Sequence, residues 1–249
     1  MPTPEHAVGI DGCRAGWVCA RYSSDRLTIR VAADFDSVWT EVVEPSATCA
    51  LVDIPIGLPS SSRRACDSEA RRELGERAST VFFAPVRGVL DATTHEEASD
   101  INRAKTGYGL SIQAWNLVPK IRAVDSLLGE TPAARRVIHE SHPELAFASL
   151  AGRPLRESKS TPAGCNKRLD VLSRVFPDAD PEAIYQETVA RTRRCDVARD
   201  DILDALVLAA AAQYPLDTLP EHPPNDSTGL QMAIHVPRVP GGGKRNIGK

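Results

Sequence analysis

The sequence predicts an α/β protein with a mixed five-stranded sheet flanked by helices, and two observations support this class. Short apolar runs end in an acidic residue at Asp11, Asp53 and Glu140, which is typical of strands that end at the ligand-binding edge of an open sheet. Segments with apolar residues at helical spacing lie between the runs, such as Ile112 to Leu128. The chain of 249 residues is long enough for one domain with insertions, or for two.

The N-terminal part predicts the order strand, strand, strand, helix, strand. Three consecutive strands form an antiparallel meander, and the fourth packs beside the first in parallel after the helical crossover. Asp36 or Ser37 can cap the helix. These five elements and the fifth strand are predicted at residues 7–11, 17–22, 27–31, 38–43, 49–53 and 135–140.

The rest of the chain is predicted to add helices to the sheet, so that residues 7–214 form a single domain. Residues 60–130 are charge-rich and helical in pattern, and we interpret them as an insertion after the fourth strand. Residues 152–167 predict a basic loop. Residues 215–249 predict a Pro- and Gly-rich tail that is disordered from residue 237. The remaining helices are predicted at 169–175, 181–192 and 200–212.

Composition limits the classes of function. A net charge of −3 argues against a general nucleic-acid binder, so any such contact needs a local basic patch. The six cysteines form no C-x-x-C pair and match no zinc module, and free thiols are expected. The N-terminus lacks the pattern of a signal peptide, and no apolar run approaches the roughly 18 residues that span a bilayer. We therefore expect a cytoplasmic protein without a membrane partner.

The acids at the strand ends form the strongest pattern. If their strands are neighbours, Asp11, Asp53 and Glu140 converge at one edge of the sheet. Asp201 and Asp204 are three residues apart, so they share one face of an apolar helix that can bring them to the same edge. Clustered carboxylates suit Mg²⁺ or Mn²⁺, and two such ions support phosphodiester hydrolysis. We therefore predict a catalytic group of Asp11, Asp53, Glu140, Asp201 and Asp204.

Structural explanations exist for single members of this group. An acid at the end of a strand can form a turn or a cap. Asp200 and Asp201 fit an N-cap and a first-turn position that the helix dipole favours. Asp204 lies deeper in an otherwise apolar helix, which makes it the clearest sign of a functional role.

Several short sequence motifs resemble those of domain-of-unknown-function family 429, which is described as a group of predicted nucleases with a ribonuclease H-like fold. The acids after the first and fourth strands, together with the C-terminal D-x-x-D-A helix, also resemble the RuvC-type branch of that superfamily. The matching phrases lie between residues 7 and 214, at 9–17, 53–59, 64–67, 84–87, 113–121, 140–144 and 201–205.

The resemblance implies a ribonuclease H-like sheet and a metal-dependent nuclease that uses Mg²⁺ or Mn²⁺. By the matching positions, Asp11, Asp53, Asp201 and Asp204 are implied metal ligands, and Glu140 is an outer member. Phe83 departs from the family, since similar sequences often carry proline before Ala84-Pro85. This departure affects the shape of a loop rather than the chemistry.

Basic side chains around the acids could contact substrate phosphates. Lys159, Lys167 and Arg168 lie in one segment with few acidic residues, which predicts a phosphate-binding patch there. The alternative for the others is a solvated surface, where acidic neighbours pair with arginines, and for Lys120 it is a surface lysine. His142 could transfer a proton or could be structural. The candidate phosphate contacts are Arg14, Arg87, Lys120, Lys167 and Arg168.

Three functions remain open at this level. The first is a two-metal nuclease that acts on DNA or RNA. The second is an ATP-dependent phosphotransferase or ATPase like the actin-like relatives, for which Gly9-x-Asp11-Gly12 is a faint phosphate loop. The third is a non-catalytic binding scaffold. The sequence leaves the oligomeric state open, including a homodimer.

Overall fold

The structure, a computed structural model, describes residues 6–24, 26–44 and 47–240. Its main sheet has five strands in the order β3-β2-β1-β4-β5. The pairs β1–β2 and β2–β3 are antiparallel, and the pairs β1–β4 and β4–β5 are parallel. This topology confirms the predicted mixed sheet. The strands are β1 (His6–Cys13), β2 (Gly16–Ser23), β3 (Arg26–Ala32), β4 (Cys49–Val52) and β5 (Ile138–Glu140).

Helices flank the sheet, and α2, α3 and α4 lie between β4 and β5 as predicted. Helix α1 is capped by Asp34, which accepts a hydrogen bond from the backbone N–H of Ser37 at 2.8 Å, rather than by Asp36 or Ser37. The helices are α1 (Phe35–Ser37, continued by π-helical turns at Val38–Val43), α2 (Ala65–Leu74), α3 (His95–Thr106), α4 (Ile112–Glu130), α5 (Pro132–Arg135), α6 (Pro143–Ala151), α7 (Pro162–Val175), α8 (Pro181–Arg191) and α9 (Arg199–Ala211).

Helix α7 begins seven residues earlier than the predicted start at residue 169. Thr161 caps it by accepting a hydrogen bond from the backbone N–H of Gly164 at 3.1 Å, and Pro162 occupies the first helical turn. The predicted loop 152–167 is therefore shorter. It ends at Thr161, and Lys159 lies just before that cap.

The alternation of side chains along the strands divides the core into two layers. Ala7 and Leu51 face one layer, which α6, α7, α8 and α9 cover. Val8 and Val52 face the other layer, which α1 and the C-terminal half of α4 cover. The sheet is therefore buried on both faces, which fits its parallel strands and a ribonuclease H-like arrangement.

Residues after 214 form more than the predicted tail. Strands β6 (Leu216–Leu219) and β7 (Ile234–Pro237) pair in an antiparallel ribbon. Leu219, Ile234 and Val236 are buried in one apolar cluster with residues of α2 and α6. Each strand has only four residues, too short for a clear period in the sequence. Residues 241–249, which fall in the segment predicted to be disordered, lie outside the described residues.

Within the described ranges, none of the helices has both the length and the apolar character that crossing a membrane requires.

Candidate functional site

Asp11 and Asp53 lie side by side at the carboxyl end of two adjacent parallel strands. Ile10 of β1 is in register with Val52 of β4, and the backbone N–H of Asp53 donates to the carbonyl oxygen of Ile10 at 3.1 Å. Because side chains alternate along a strand, Asp11 and Asp53 lie on the same side as Ala7 and Leu51, the face that α9 covers. The register therefore places two carboxylates beneath one helix.

Helix α9 approaches β1 unusually closely because residue 9 is glycine. A Cβ atom at Gly9 would lie 2.1 Å from the carbonyl oxygen of Ala205 and 2.2 Å from the backbone nitrogen of Ala209. Any side chain at residue 9 would push the helix off the strand. The contact brings the first turns of α9, with Asp201 and Asp204, to the strand-end acids.

Asp201 also caps its own helix. Its Oδ2 accepts a hydrogen bond from the backbone N–H of Ala198 at 2.8 Å. The helix begins at Arg199, so the N-cap is Ala198 rather than the predicted Asp200. The capping interpretation and the functional interpretation of Asp201 are therefore compatible, because Oδ1 is not needed for the cap.

The structure brings four of the five predicted carboxylates within electrostatic range of one another. Burial raises the pKa of Asp11 well above its usual value, and Asp204, Asp53 and Asp201 raise it further. Burial also raises the pKa of Asp204 to about 7 and that of Asp201 to about 6. We call Asp11, Asp53, Asp201 and Asp204 the aspartate cluster. Its charges repel one another, so it favours protons or cations.

Lys159 supplies a cation to the aspartate cluster. Its Nζ forms a close ion pair with Oδ2 of Asp204 and lies 3.7 Å from Oδ2 of Asp200. The loop between α6 and α7 carries it there. From its sequence context Lys159 is expected in a phosphate-binding patch, and no local sequence signal links it to Asp204, which lies 45 residues further along the chain.

The donor set of the aspartate cluster fits a hard divalent cation, although a complete ligand set is not formed. Among the described residues, no three His, Cys, Asp or Glu side chains stand ready to ligate a metal ion. Oδ1 of Asp204 is nevertheless buried without a hydrogen-bond partner in the described part of the chain. A buried, unpaired carboxylate oxygen beside three further carboxylates suits Mg²⁺ or Mn²⁺.

Two further side chains border the aspartate cluster. Nζ of Lys120 donates to the carbonyl oxygen of Gly16 at 2.6 Å and lies 4.5 Å from the centre of the Trp17 ring. Burial lowers the pKa of Lys120, while the nearby charges of Cys13, Asp11 and Asp201 oppose this shift. His142 precedes α6, and burial raises the pKa of Asp53 against the opposing charge of His142. Lys120 is thus not a simple surface lysine.

Glu140 does not join the aspartate cluster. Its two carboxylate oxygens each accept a hydrogen bond from Arg64 at 2.7 Å, and Oε2 also accepts one from the backbone N–H of Ile56 at 2.6 Å. Arg64 is only 3% exposed and also binds Asp67, at 2.5 Å. We therefore correct the predicted catalytic role of Glu140 to that of a partner in a buried ion-pair network.

Most of the predicted phosphate contacts are engaged within the protein. Arg87 pairs with Asp125 at 2.8 Å and with Asp226, while Arg168 is fully buried against Glu144 at 2.8 Å. Both guanidinium groups are committed to carboxylates of the protein, which corrects the predicted phosphate contacts of Arg87 and Arg168. Lys167 pairs with Glu157 at 3.2 Å in a half-buried position. Arg14 is exposed in the β1–β2 turn and, like Lys120, lies at the same sheet edge as Asp11.

The fold and the site together define the class: an α/β protein of ribonuclease H-like arrangement, with four aspartates gathered where two parallel strands meet a covering helix. The chain belongs to the family described as "Protein of unknown function (DUF429)", whose model matches residues 9–228. This match confirms the family resemblance. No curated protein and no solved structure matches the chain.

The aspartate cluster predicts an unusual pH dependence for the protein in a metal chelator. The folded-state pKa values of Asp201 and Asp204, about 6 and about 7, exceed the value of about 3.9 in an unfolded chain, so the folded state retains more protons. Stability should therefore fall as the pH rises through this window. From about pH 5 to about pH 8, we expect Asp204 to contribute a loss of about 1–3 kcal/mol in the free energy of unfolding, measured by urea denaturation.

The matched variant for this experiment is Asp204→Asn, which keeps the shape of the side chain and removes its titration. His235, whose pKa burial lowers to about 4, titrates in the opposite sense but is common to both proteins. The variant should lose less stability than the wild type over the same range. Parallel pH profiles for the two proteins would show that Asp204 is ionised throughout.

Proposed function

We propose that this protein is a metal-dependent phosphodiester hydrolase, a nuclease that uses Mg²⁺ or Mn²⁺. The observation that carries the proposal is the convergence of Asp11 and Asp53 from adjacent parallel strands with Asp201 and Asp204 from α9. Holding four carboxylates in one place, with Asp11 and Asp204 buried and Asp53 and Asp201 half-buried, is costly unless they bind cations or take up protons. A site with this cost needs a functional explanation, and cation binding supplies one.

The residues of the site have distinct roles in the proposed reaction. The aspartate cluster would hold the divalent ion, which supplies an activated water and neutralises charge on the phosphate. Lys120 is anchored by Gly16 and Trp17 at the edge of the aspartate cluster, where its ammonium can attract a phosphate. His142 lies near Asp53 and can hold a proton there.

The ATP-dependent alternative has less support. A phosphate loop needs an open glycine turn after the first strand. In the structure β1 continues to Cys13, and only Arg14 and Ala15 separate it from β2. A Cβ atom at Gly12 would lie 2.7 Å from Cδ of Lys120, so the lysine side chain covers this glycine. The tight turn and the covered glycine therefore give little support to binding of a nucleoside triphosphate at this point.

We further propose a cytoplasmic location and a nucleic-acid substrate. All six cysteines are free thiols, which suits a reducing compartment. With a net charge of −3, contact with DNA or RNA would depend on local cations, and Arg14 and Lys120 are such cations at the sheet edge of the site. The contact area would therefore be small, and because few phosphates would be neutralised, its affinity would fall only modestly as the salt concentration rises.

A cleavage assay with Asp11→Asn tests the proposed function. Wild-type protein with Mg²⁺ or Mn²⁺ is expected to cleave at least one member of a panel of single-stranded DNA, duplex DNA, RNA and four-way junctions. Replacing the Asp11 carboxylate by a neutral amide should lower the cleavage rate by at least about 100-fold. Even mutation of a residue that only supports a metal ligand lowers metal affinity or activity by about 10- to 100-fold. The readout is the initial rate of product formation on a gel.

Asp100→Asn is the matched control, because Asp100 is an exposed aspartate on α3 that pairs only with Arg103 among the described residues. It should cleave at the wild-type rate. A wild-type protein that binds members of the panel but leaves all of them intact would favour the scaffold alternative. Equal rates for wild type and Asp11→Asn would place the activity elsewhere.

A further inference from the structure

We propose that Lys159 permanently occupies one of the two cation positions of the aspartate cluster, so that the site takes one divalent ion rather than two. The inference rests on the proposed function and deepens it, because it replaces the two-metal site predicted from the sequence with an ion and an ammonium group. Three features of the structure support it: the fixed backbone around Lys159, the division of the Asp204 oxygens, and the balance of charge.

The backbone on both sides of Lys159 is fixed by α7. The carbonyl oxygen of Ser158 accepts hydrogen bonds from the backbone N–H and the hydroxyl of Thr161, at 3.0 and 2.8 Å. A Cβ atom at Gly164 would lie 2.0 Å from that same oxygen, so α7 presses directly on the loop. Arg168 donates to the carbonyl oxygen of Glu157 at 2.9 Å. The lysine is therefore held in place from both ends.

The two carboxylate oxygens of Asp204 are used differently. Oδ2 contacts the ammonium group of Lys159. Oδ1 is buried and has no partner within the described ranges. One oxygen is thus committed to the built-in cation, and the other remains for an added one. A second divalent ion would have to displace a lysine whose side chain is 27% exposed and whose flanking backbone is fixed.

The charges of the site balance with a single divalent ion. The aspartate cluster carries four negative charges when fully ionised. One divalent ion together with the ammonium groups of Lys159 and Lys120 neutralises them, and the remaining nearby charge is that of Asp200, which lies 3.7 Å from Lys159 with a side chain that is 44% exposed to solvent. Two divalent ions beside the same two ammonium groups would leave an excess of positive charge in a largely buried site, which is unfavourable in a medium of low polarity. The single-ion state is therefore the one that electrostatics favours.

Isothermal titration calorimetry with MnCl₂ tests this inference without relying on activity. Wild type and Lys159→Arg, which keeps the cation, are expected to bind one Mn²⁺ per chain. Lys159→Met should bind two, since the freed Oδ2 of Asp204 becomes a ligand. Lys167→Met removes a lysine that pairs with Glu157 instead, and its expected count is one. In chelator, Lys159→Met should melt at a lower temperature than wild type, because it leaves Asp204 unpaired.

Each other outcome overturns a specific part of the proposal. Two ions in the wild type, or one ion in both wild type and Lys159→Met, would show that the lysine does not take a cation position. No ion in any of the proteins would overturn the metal-dependent function, and this inference with it. Crystals of the wild type soaked in Mn²⁺ give an independent count, where one anomalous peak at the aspartate cluster supports the inference and two refute it.

Discussion

Gly9→Ala is expected to destabilise the protein by more than about 3 kcal/mol, at or beyond the upper end of the usual cost of overpacking a core. The cost is high because the atoms that meet the new methyl group are backbone atoms of α9, at 2.1 and 2.2 Å, which cannot rotate away. The helix must therefore move off the sheet as a body. Urea denaturation of wild type and variant in chelator measures the difference in the free energy of unfolding.

The same displacement should weaken metal binding, because α9 carries Asp201 and Asp204. Gly129→Ala is the matched control, since a Cβ atom there meets nothing within 4 Å. Gly129 lies inside α4, where alanine favours the helix over glycine, so this variant should be as stable as wild type or slightly more stable. A Gly9→Ala protein with wild-type stability would mean that α9 does not lie directly on β1.

Arg64→Met is expected to cost about 3–5 kcal/mol in the free energy of unfolding, the usual range when one partner of a buried ion pair is removed. Arg64 is the shared cation of Glu140 and Asp67, both buried. It also donates to the carbonyl oxygens of Ile56 and Gly57, at 3.0 and 3.2 Å. The methionine can fill the space but leaves two carboxylates without their cation.

A pH signature separates this mechanism from a simple loss of packing. Burial raises the pKa of Glu140 to about 7 even though Arg64 opposes the rise. Without Arg64 the pKa of Glu140 should rise further, so the variant is penalised less at about pH 5, where this carboxyl is protonated, than at about pH 8. The exposed pair of Arg103 with Asp100 provides the control, and Arg103→Met should change stability little at either pH. A penalty independent of pH would point to packing alone.

The sheet could be predicted because its order follows from local patterns. The apolar runs ending at Asp11 and Asp53 required parallel neighbours, and three short-linked strands allowed only a meander. The same reasoning predicted that Asp11, Asp53, Asp201 and Asp204 would come together, since strand ends and helix faces are properties of the local sequence. These predictions needed no knowledge of distant contacts.

The pairing of these acids with Lys159 and Arg64 could not be predicted in this way. Lys159 reaches Asp204 through a loop whose course depends on α7, and Arg64 follows three serines and Arg63 in a segment that looks like a solvated surface. Glu140 ends an apolar run of the sequence just as Asp11 and Asp53 do, but Arg64 holds its side chain away from the aspartate cluster. The packing of distant segments decides which acidic side chain pairs with which basic side chain. The local sequence around each residue does not encode this packing.

The close contact between Gly9 and α9 has a consequence for the order of events during synthesis. Strands β1 to β4 are all encoded before residue 60 and are synthesised first, whereas the helix that covers one face of β1 begins only at Arg199. For most of translation, this face of Ala7, Leu51 and their neighbours therefore lacks its final cover. Because the uncovered face is apolar, we expect the incomplete chain to be open to aggregation until α9 is added, and the native packing of the sheet to form late.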